Sequence, residues 1–219
     1  MNSNQRAQYL PLSTLCLVLI ASACTSKQEA KTKEPSAVAT SDSTTSHVDV
    51  MCVGEHINNP PEAFHYSYKY SDASSSSNKE ADITPQAMDI TIKDQSGSHS
   101  FHGVRSDEAS WSRAVVDLSS LNMTGMMSRL DSLNGTSAIS EQATETVNGY
   151  DTTRYAIDTT KANTADQQKL EFLFGTGSFE KGAVWAPSDG CAVKLVLDER
   201  VLLGGNLKDA HYELARIRK

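Results

Sequence analysis

The sequence predicts an α+β domain in which an antiparallel sheet of about seven to nine strands is covered by one or two helices. Most of its segments alternate apolar with polar residues, which is the pattern of strands that have one buried face. Two short turn sequences, Asn-Gly and Pro-Ser-Asp-Gly, join such segments as hairpins do. One long stretch has its apolar residues at helical spacing, so we expect the helices to form the smaller layer.

The first predicted strand covers residues 64–70. Residues 72–82 are rich in serine and asparagine and predict a mobile loop. Residues 88–92 alternate again, and a turn at 95–98 leads into residues 100–104, so this part of the chain is predicted to be a hairpin. On the first strand, four aromatic residues share one face: Phe64, Tyr66, Tyr68 and Tyr70.

Residues 107–133 are predicted to be helical, with Ser106 or Asp107 as the N-terminal cap. The serine pair at 119–120 weakens the middle, so one long helix and two shorter helices broken near Ser120 are both open. Methionine side chains adapt to irregular surfaces, so those on the apolar face suit either a packed core or the wall of a cavity. These methionines are Met123, Met126 and Met127.

A second hairpin is predicted around the Asn-Gly pair at residues 148–149, with strands at 139–147 and 150–159. Both turn positions of a type I′ hairpin need a positive φ, which asparagine and glycine adopt most readily. Such a turn sets the cross-strand pairs Val147 with Tyr150, Thr144 with Thr153, and Ala143 with Arg154.

The last part of the chain predicts one short helix and three more strands. The helix covers residues 166–174, and strands at 182–186 and 191–197 flank the Pro-Ser-Asp-Gly turn at 187–190. The final strand covers residues 209–217. One face of this final strand is formed by Ala210, Tyr212, Leu214 and Arg216.

The N-terminus has the pattern of a bacterial lipoprotein signal peptide, residues 1–23. One cation, Arg6, precedes a short apolar stretch, and small residues lead up to Cys24, although Ala21 stands where leucine is usual. Cys24 is the predicted lipidation site, which would anchor the chain to a membrane through acyl chains. An ordinary secretory signal cut after Ala23 and an uncleaved anchor are the alternatives.

Residues 24–46 follow as the lipidated cysteine and a disordered tether, because they contain too little apolar surface to fold. Residues 47–219 are long enough to form one domain with its own core. We expect this domain on the extracytoplasmic side of a bacterial membrane. The absence of aspartate directly after Cys24 slightly favours the outer membrane.

The composition and motifs exclude several classes of function. A formal net charge of −7 disfavours nucleic acid as a partner. No nucleophile elbow, zinc-binding His-Glu-x-x-His or phosphate-binding loop is present in the sequence, and its six histidines form no dense ligand spacing. We therefore expect no catalytic residues, no metal site and no cofactor.

Two further cysteines, Cys52 and Cys191, lie in the predicted domain. In an exported protein an isolated pair is typical of one disulfide. The competing interpretation, a redox or nucleophilic thiol, lacks the Cys-x-x-Cys spacing.

Two segments resemble a known group of bacterial lipoproteins. Residues 147–158, VNGYDTTRYAID, resemble a strand pair of the mycobacterial LppX/LprG group, and residues 184–198, VWAPSDGCAVKLVLD, resemble a strand-turn-strand unit of that group and of the LolA/LolB carriers. The resemblance implies a half-barrel, in which a curved sheet wraps round helices and encloses an apolar cavity for acyl chains.

This resemblance implies a lipoprotein that binds or carries a lipid or lipidated molecule in the cell envelope. The alternative is an interaction lipoprotein with a filled core that docks an envelope protein partner. The residues that we expect to line a ligand cavity, or else to form plain core, are Tyr66, Tyr68, Trp111, Leu118, Met126, Met127, Phe172 and Trp185.

Overall fold

The computed structural model describes residues 48–119, 121–175, 177–203 and 205–219. The predicted signal peptide, the lipidation site Cys24 and the tether 24–46 lie outside these residues. The described chain contains nine strands and four α-helices, so the predicted α+β class is confirmed.

The strands are β1 (Phe64–Asp72), β2 (Ser76–Ile83), β3 (Ala87–Asp94), β4 (Gly97–Val104), β5 (Ile139–Val147), β6 (Tyr150–Asp158), β7 (Phe179–Ala186), β8 (Lys194–Leu203) and β9 (Asn206–Arg218). The helices are α1 (Cys52–Asn58), α2 (Glu108–Leu118), α3 (Leu121–Leu133) and α4 (Thr164–Phe174), and a 3₁₀ turn spans Thr159–Lys161.

All nine strands form one open antiparallel sheet in the order β4-β3-β2-β1-β9-β8-β7-β6-β5. Its two halves meet where the first strand, β1, pairs with the last, β9. The helices α2 and α3 connect the edge strand β4 to the opposite edge strand β5. The core lies between these helices and the face of the sheet that they cover.

Alternation along the strands decides which side chains enter this core. On β1, the aromatic residues 64, 66 and 68 are buried while the residues between them are not, as predicted. The same face continues across β9 with Tyr212, Leu214 and Arg216, and across β8 with Leu195 and Leu197. Because one face of these central strands is buried, this part of the sheet has a buried face and a more exposed face.

The hairpin around the Asn-Gly pair is confirmed. Asn148 and Gly149 have φ values of 57° and 84°, as a type I′ turn requires. The observed cross-strand pairs next to the turn are Val147 with Tyr150 and Thr144 with Thr153.

Further along this hairpin, the predicted pairing of Ala143 with Arg154 is not formed. The register shifts between Glu141 and Thr144, and Glu141 pairs with Tyr155. An irregularity of this kind places two residues of one strand opposite one residue of the other, which the turn sequence alone does not reveal.

The helical stretch 107–133 is two helices, which resolves the alternative left open by the sequence. Asp107 caps α2, and its side chain accepts hydrogen bonds from the backbone N–H groups of Ala109 and Ser110. At the other end of α2, Lys79 of β2 donates to the carbonyl oxygens of residues 117, 118 and 119 at 2.6, 3.0 and 3.1 Å. A buried lysine therefore satisfies the carbonyl groups where the helix ends.

The predicted mobile loop 72–82 is wrong, because most of it is the strand β2. This strand is paired on both sides, with β1 and with β3. Its second half places Lys79, Ala81 and Ile83 on the buried face of the sheet. The polar first half is extended because it forms backbone hydrogen bonds with the strands on both sides. The composition of a segment does not predict such long-range pairing.

Two other boundaries differ from the predictions. The strand predicted at 191–197 begins at Lys194 and continues to Leu203, which makes β8 and β9 a long hairpin. Cys191 precedes β8 and forms a parallel bridge with Asp49 instead.

The predicted disulfide is present between Cys52 and Cys191, whose Cα atoms are 5.6 Å apart. It joins α1, which the sequence did not predict, to the segment before β8.

None of the helices in the described part of the chain combines the length and the apolar character needed to cross a membrane.

Candidate functional site

Six of the eight predicted ligand-lining residues lie together in the packed core. They are buried between the sheet and the helices, at 5% exposure or less: Tyr66, Tyr68, Trp111, Leu118, Met126 and Met127. Tyr66 is fully enclosed, and its hydroxyl donates a hydrogen bond to the sulfur of Met123 at 2.9 Å. Trp111 donates from its indole N–H to the carbonyl oxygen of Asn58 at 3.2 Å.

The other two predicted residues lie elsewhere. Phe172 is on α4 and is 89% exposed. Trp185 is on the polar face of the sheet, where its ring centroid lies 4.4 Å from the Lys194 ammonium group and 5.6 Å from the Arg154 guanidinium group. Its indole N–H donates to Glu145 at 2.7 Å. Neither side chain joins the other six.

A cavity of about 370 Å³ lies beside α4, and we call it the α4 cavity. This volume falls within the size range of small-molecule sites. Its wall includes Thr159 of the 3₁₀ turn, Leu170, Glu171 and Phe174 of α4, Gly175 and Gly177 of the following loop, and Phe179 and Glu180 of β7.

Local sequence explains how α4 comes to lie at this cavity. The Asn163 side chain caps the helix by accepting a hydrogen bond from the backbone N–H of Asp166 at 2.9 Å. Leu170 and Phe174 are four residues apart and so share one face of the helix, which forms part of the wall. Gly175 ends the helix with a φ of 89°, a conformation that favours glycine, and the chain then turns into β7.

Exposed apolar side chains flank the loop that borders the cavity. Two of them are near the end of α4, and two form a cross-strand pair in the β8–β9 hairpin. A Cβ atom built on Gly175 would lie 3.0 Å from Leu202, and one on Gly177 would lie 3.4 Å from Leu207, so this hairpin packs against the loop. The four exposed side chains are Phe172, Leu173, Leu202 and Leu207, and none of them is among the described residues of the cavity wall.

A buried charged cluster lies on the inner side of the sheet, next to the cavity. Arg129 of α3 contacts Glu180 of β7 through Nε at 3.1 Å and contacts Glu199 of β8 through Nη2. Tyr212 of β9 donates its hydroxyl to Glu199 at 2.6 Å. Both glutamates are only 2% exposed. One guanidinium group thus forms ion pairs with two buried carboxyl groups.

The two glutamates are not equally satisfied. Glu199 accepts from Arg129 with one oxygen and from Tyr212 with the other. Glu180 accepts from Arg129 through Oε1, and its buried Oε2 has no hydrogen-bond partner among the described residues. Burial raises the pKa of Glu180 to about 7; the Arg129 guanidinium opposes this rise and the charge of Glu199 adds to it.

Arg129 and Tyr212 keep their protons near neutral pH, because the pKa of each is raised above its usual value. Burial, followed by the hydrogen bond to Glu199, raises the pKa of Tyr212, so its hydroxyl keeps its proton. The backbone N–H of Glu180 donates to the Thr159 hydroxyl at 2.8 Å, which connects β7 to the 3₁₀ turn. Glu180, with its pKa of about 7, is also part of the cavity wall.

Sequence reasoning did not select the members of this cluster. One signal was available for the glutamates: Glu180 is in phase with Gly182 and Val184, and Glu199 with Leu195 and Leu197, so each lies on the buried face of its strand. A charged residue at a position where the alternation predicts an apolar one is a candidate for a buried, paired charge.

A second buried cation lies near the disulfide. Arg216 is buried, contacts the ring of His56, and lies 3.8 Å from the sulfur of Cys191. Its guanidinium group is also 4.9 Å from the ring centroid of Tyr150. Burial, and then the positive charge of Arg216, lower the pKa of His56. The contact between Arg216 and His56 therefore connects β9 to α1.

The described residues contain no group of three or more histidine, cysteine, aspartate or glutamate side chains placed to hold a metal ion. The fold and the cavity together define a single-sheet α+β protein with a mixed apolar and acidic pocket beside α4. No family model, curated protein or solved structure gives a significant match to this chain.

Proposed function

We propose that this protein is a membrane-anchored, extracytoplasmic lipoprotein that binds a hydrophobic ligand in the α4 cavity. The observation that carries the proposal is the cavity of about 370 Å³, whose wall combines the apolar side chains of Leu170, Phe174 and Phe179 with a few polar groups. A pocket of this size and composition is typical of a small-molecule site. The proposal assigns no catalytic step.

The location is supported by two independent features. The signal pattern before Cys24 is that of a chain exported and lipidated at this residue. The disulfide between Cys52 and Cys191 suits an oxidising compartment. In this proposal, acyl chains on Cys24 hold the protein to the membrane and the tether 24–46 allows the domain to move away from the surface.

The site proposed here differs from the one that the family resemblance implies. A half-barrel carrier would hold its ligand between sheet and helices, where Tyr66 and Met126 are already packed in the core. Leu170 and Phe174 instead offer apolar surface to a ligand at the side of the domain. The six core residues then support the fold, and α4 provides the wall.

Native mass spectrometry of the full chain purified from the membranes of its own host tests this function. We expect a bound molecule that is lost on denaturation and extracts into organic solvent. Phe174→Ser should lower its occupancy several-fold, whereas the matched control Val116→Ser, on the exposed face of α2, should not. Equal occupancy in both variants would reject the α4 cavity as the ligand site.

A second candidate function is an interaction lipoprotein that docks an envelope partner. An interaction lipoprotein is expected to have a filled core. The six predicted lining residues that pack in the core between the sheet and the helices support this candidate. Its expected result in the same measurement is the mass of the lipidated chain with no molecule that is lost on denaturation. A protein partner should then be recovered after cross-linking in the intact envelope.

A further inference from the structure

The charges around the α4 cavity do not balance. If both buried glutamates are ionised, the cluster holds two negative charges against the single positive charge of Arg129. Glu199 takes hydrogen bonds from Arg129 and Tyr212, so the deficit falls on Glu180. A carboxylate that is buried with too little positive charge is costly, and either a proton or another cation relieves that cost.

The cavity wall adds to this negative character. Glu171 contributes a second carboxylate to it, from α4. The described residues of the wall include no lysine, arginine or histidine. The remaining wall is formed by apolar side chains such as Leu170 and Phe174, together with threonine and serine hydroxyl groups and glycine backbone.

We propose that the α4 cavity binds an amphiphile with a primary ammonium head group, which pairs with the free Oε2 atom of Glu180 while its apolar tail contacts Leu170 and Phe174. This inference rests on the proposed function and names the chemical class of its ligand. The ammonium group provides both the positive charge and the hydrogen-bond donor that Glu180 lacks.

Other head groups fit this wall less well. A carboxylate or phosphate head group would place a third negative charge beside Glu180 and Glu171 without a cation in the wall to receive it. A neutral hydroxyl head group can donate to Oε2, but it leaves the charge of the buried carboxylate uncompensated.

Binding of the ammonium group is coupled to the release of a proton. Below a pH of about 7 the free protein holds a proton on Glu180. The ammonium ligand pairs with the ionised carboxylate, so this proton goes to the buffer and the ligand keeps its own protons. The groups that face Glu180 are Arg129 from α3, Glu199 from β8 and Thr159 from the 3₁₀ turn, and Tyr212 from β9 contacts Glu199. Glu171 of α4 shares the cavity wall, and Glu180 is the group whose burial places its titration in this range.

Isothermal titration calorimetry with three probes of equal chain length tests the inference: n-hexylamine, n-hexanol and hexanoate. The full chain is used in phospholipid nanodiscs, and empty nanodiscs provide the reference for partition into lipid. At about pH 8, we expect hexylamine to bind roughly tenfold or more tightly than either other probe. This difference in affinity is the size expected when only one of the probes forms a favourable charge interaction with the protein.

Glu180→Gln should abolish the preference for hexylamine over hexanol. The matched control is Glu108→Gln, the same substitution at an exposed position on α2. The number of protons released on binding provides a second test, which needs no variant. It is measured at about pH 6 by calorimetry in buffers of different ionisation enthalpy. Hexylamine should release up to one proton per site, and hexanol none.

The outcomes separate this inference from the proposed function. If hexanol or hexanoate binds as tightly as hexylamine, or if hexylamine binds without proton release, the ammonium assignment is wrong while the pocket remains a ligand site. If none of the three probes binds beyond the nanodisc reference, the proposed function of the cavity and this inference both fail.

Discussion

Replacing Glu180 with glutamine should change how the stability of the folded domain depends on pH. The carboxyl group is buried and shares Arg129 with Glu199, and its pKa rises from 4.5 to about 7 on folding. Between these pH values the folded state holds a proton that the unfolded state has lost. The free energy of unfolding therefore falls as the pH rises through this window.

The size of this effect follows from the width of the window. Each pH unit over which the two states differ by one proton changes the free energy of unfolding by about 1.4 kcal/mol. The interval from 4.5 to about 7 then corresponds to about 3 kcal/mol, present in full below pH 4.5 and lost as the pH rises through about 7. Because the side chain is only 2% exposed, water does little to screen this contribution.

Urea unfolding at several pH values, followed by tryptophan fluorescence, measures the effect. We expect the difference in unfolding free energy between the wild type and Glu180→Gln to shift by about 3 kcal/mol between about pH 4 and pH 8, toward greater relative stability of the variant at high pH. Other titrating groups cancel in this comparison. One example is His211, whose pKa is raised by its hydrogen bond to Asp198 in both proteins.

Glu171→Gln is the matched control, since it makes the same substitution at an exposed side chain of the same cavity wall. The shift of about 3 kcal/mol is expected for Glu180→Gln and not for this control. Parallel profiles for the wild type and Glu180→Gln would refute the reasoning, because they would mean that Glu180 exchanges no extra proton on folding.

Three further substitutions test the contacts that hold the fold. The double variant Cys52→Ser, Cys191→Ser opens a link between residues 139 apart and should lose up to about 5 kcal/mol of unfolding free energy in the chain-entropy model, measured by urea unfolding against the oxidised wild type. Lys79→Met leaves carbonyl groups at the end of α2 without their donor and should cost about 2 kcal/mol; hydrogen exchange at the end of that helix should rise with it. Gly182→Ala puts a Cβ atom 2.0 Å from a backbone oxygen of β8 and should cost about 2 kcal/mol or more in thermal unfolding. Its control, Gly54→Ala, meets nothing within 4 Å in α1 and should leave stability unchanged or raise it by about 0.5 kcal/mol.

Most elements of the fold were predictable because their signals are local. The Asn-Gly turn needs two positive φ values at adjacent residues, and the pairing next to it follows directly. Asp107 caps α2 through backbone groups two and three residues away. The alternation of aromatic and polar residues in β1 reports its buried face within nine residues.

The strand β2 and the shift in β5 were missed because their causes are not local. The first half of β2 has no apolar alternation, and its extended form depends on β1 and β3, which lie on either side of it. The irregularity between Glu141 and Thr144 leaves the turn pairs unchanged and moves the register beyond them. A pattern within one segment does not contain the information for either feature.

None of the eight predicted lining residues is among the described residues of the α4 cavity wall. Phe172 was selected from α4, but it faces solvent, and the wall is formed by its neighbours Leu170 and Phe174 on the other side of the helix. A short helix with apolar residues at positions 170, 172, 173 and 174 does not reveal which of them faces the sheet. That choice is made by the packing of α4 beside β7.

The sequence by itself determined the class of fold and the Asn-Gly turn, because turn and alternation signals act over a few residues. The break between α2 and α3 and the disulfide were among the alternatives that the sequence left open. The tertiary structure alone decided the buried charge cluster and the cavity beside it. Arg129 comes from α3, and Glu180, Glu199 and Tyr212 come from the consecutive strands β7, β8 and β9. Burial between the sheet and α3 keeps water away from these side chains. This burial raises the pKa of Glu180, and it makes the lack of a hydrogen-bond partner for Oε2 among the described residues costly.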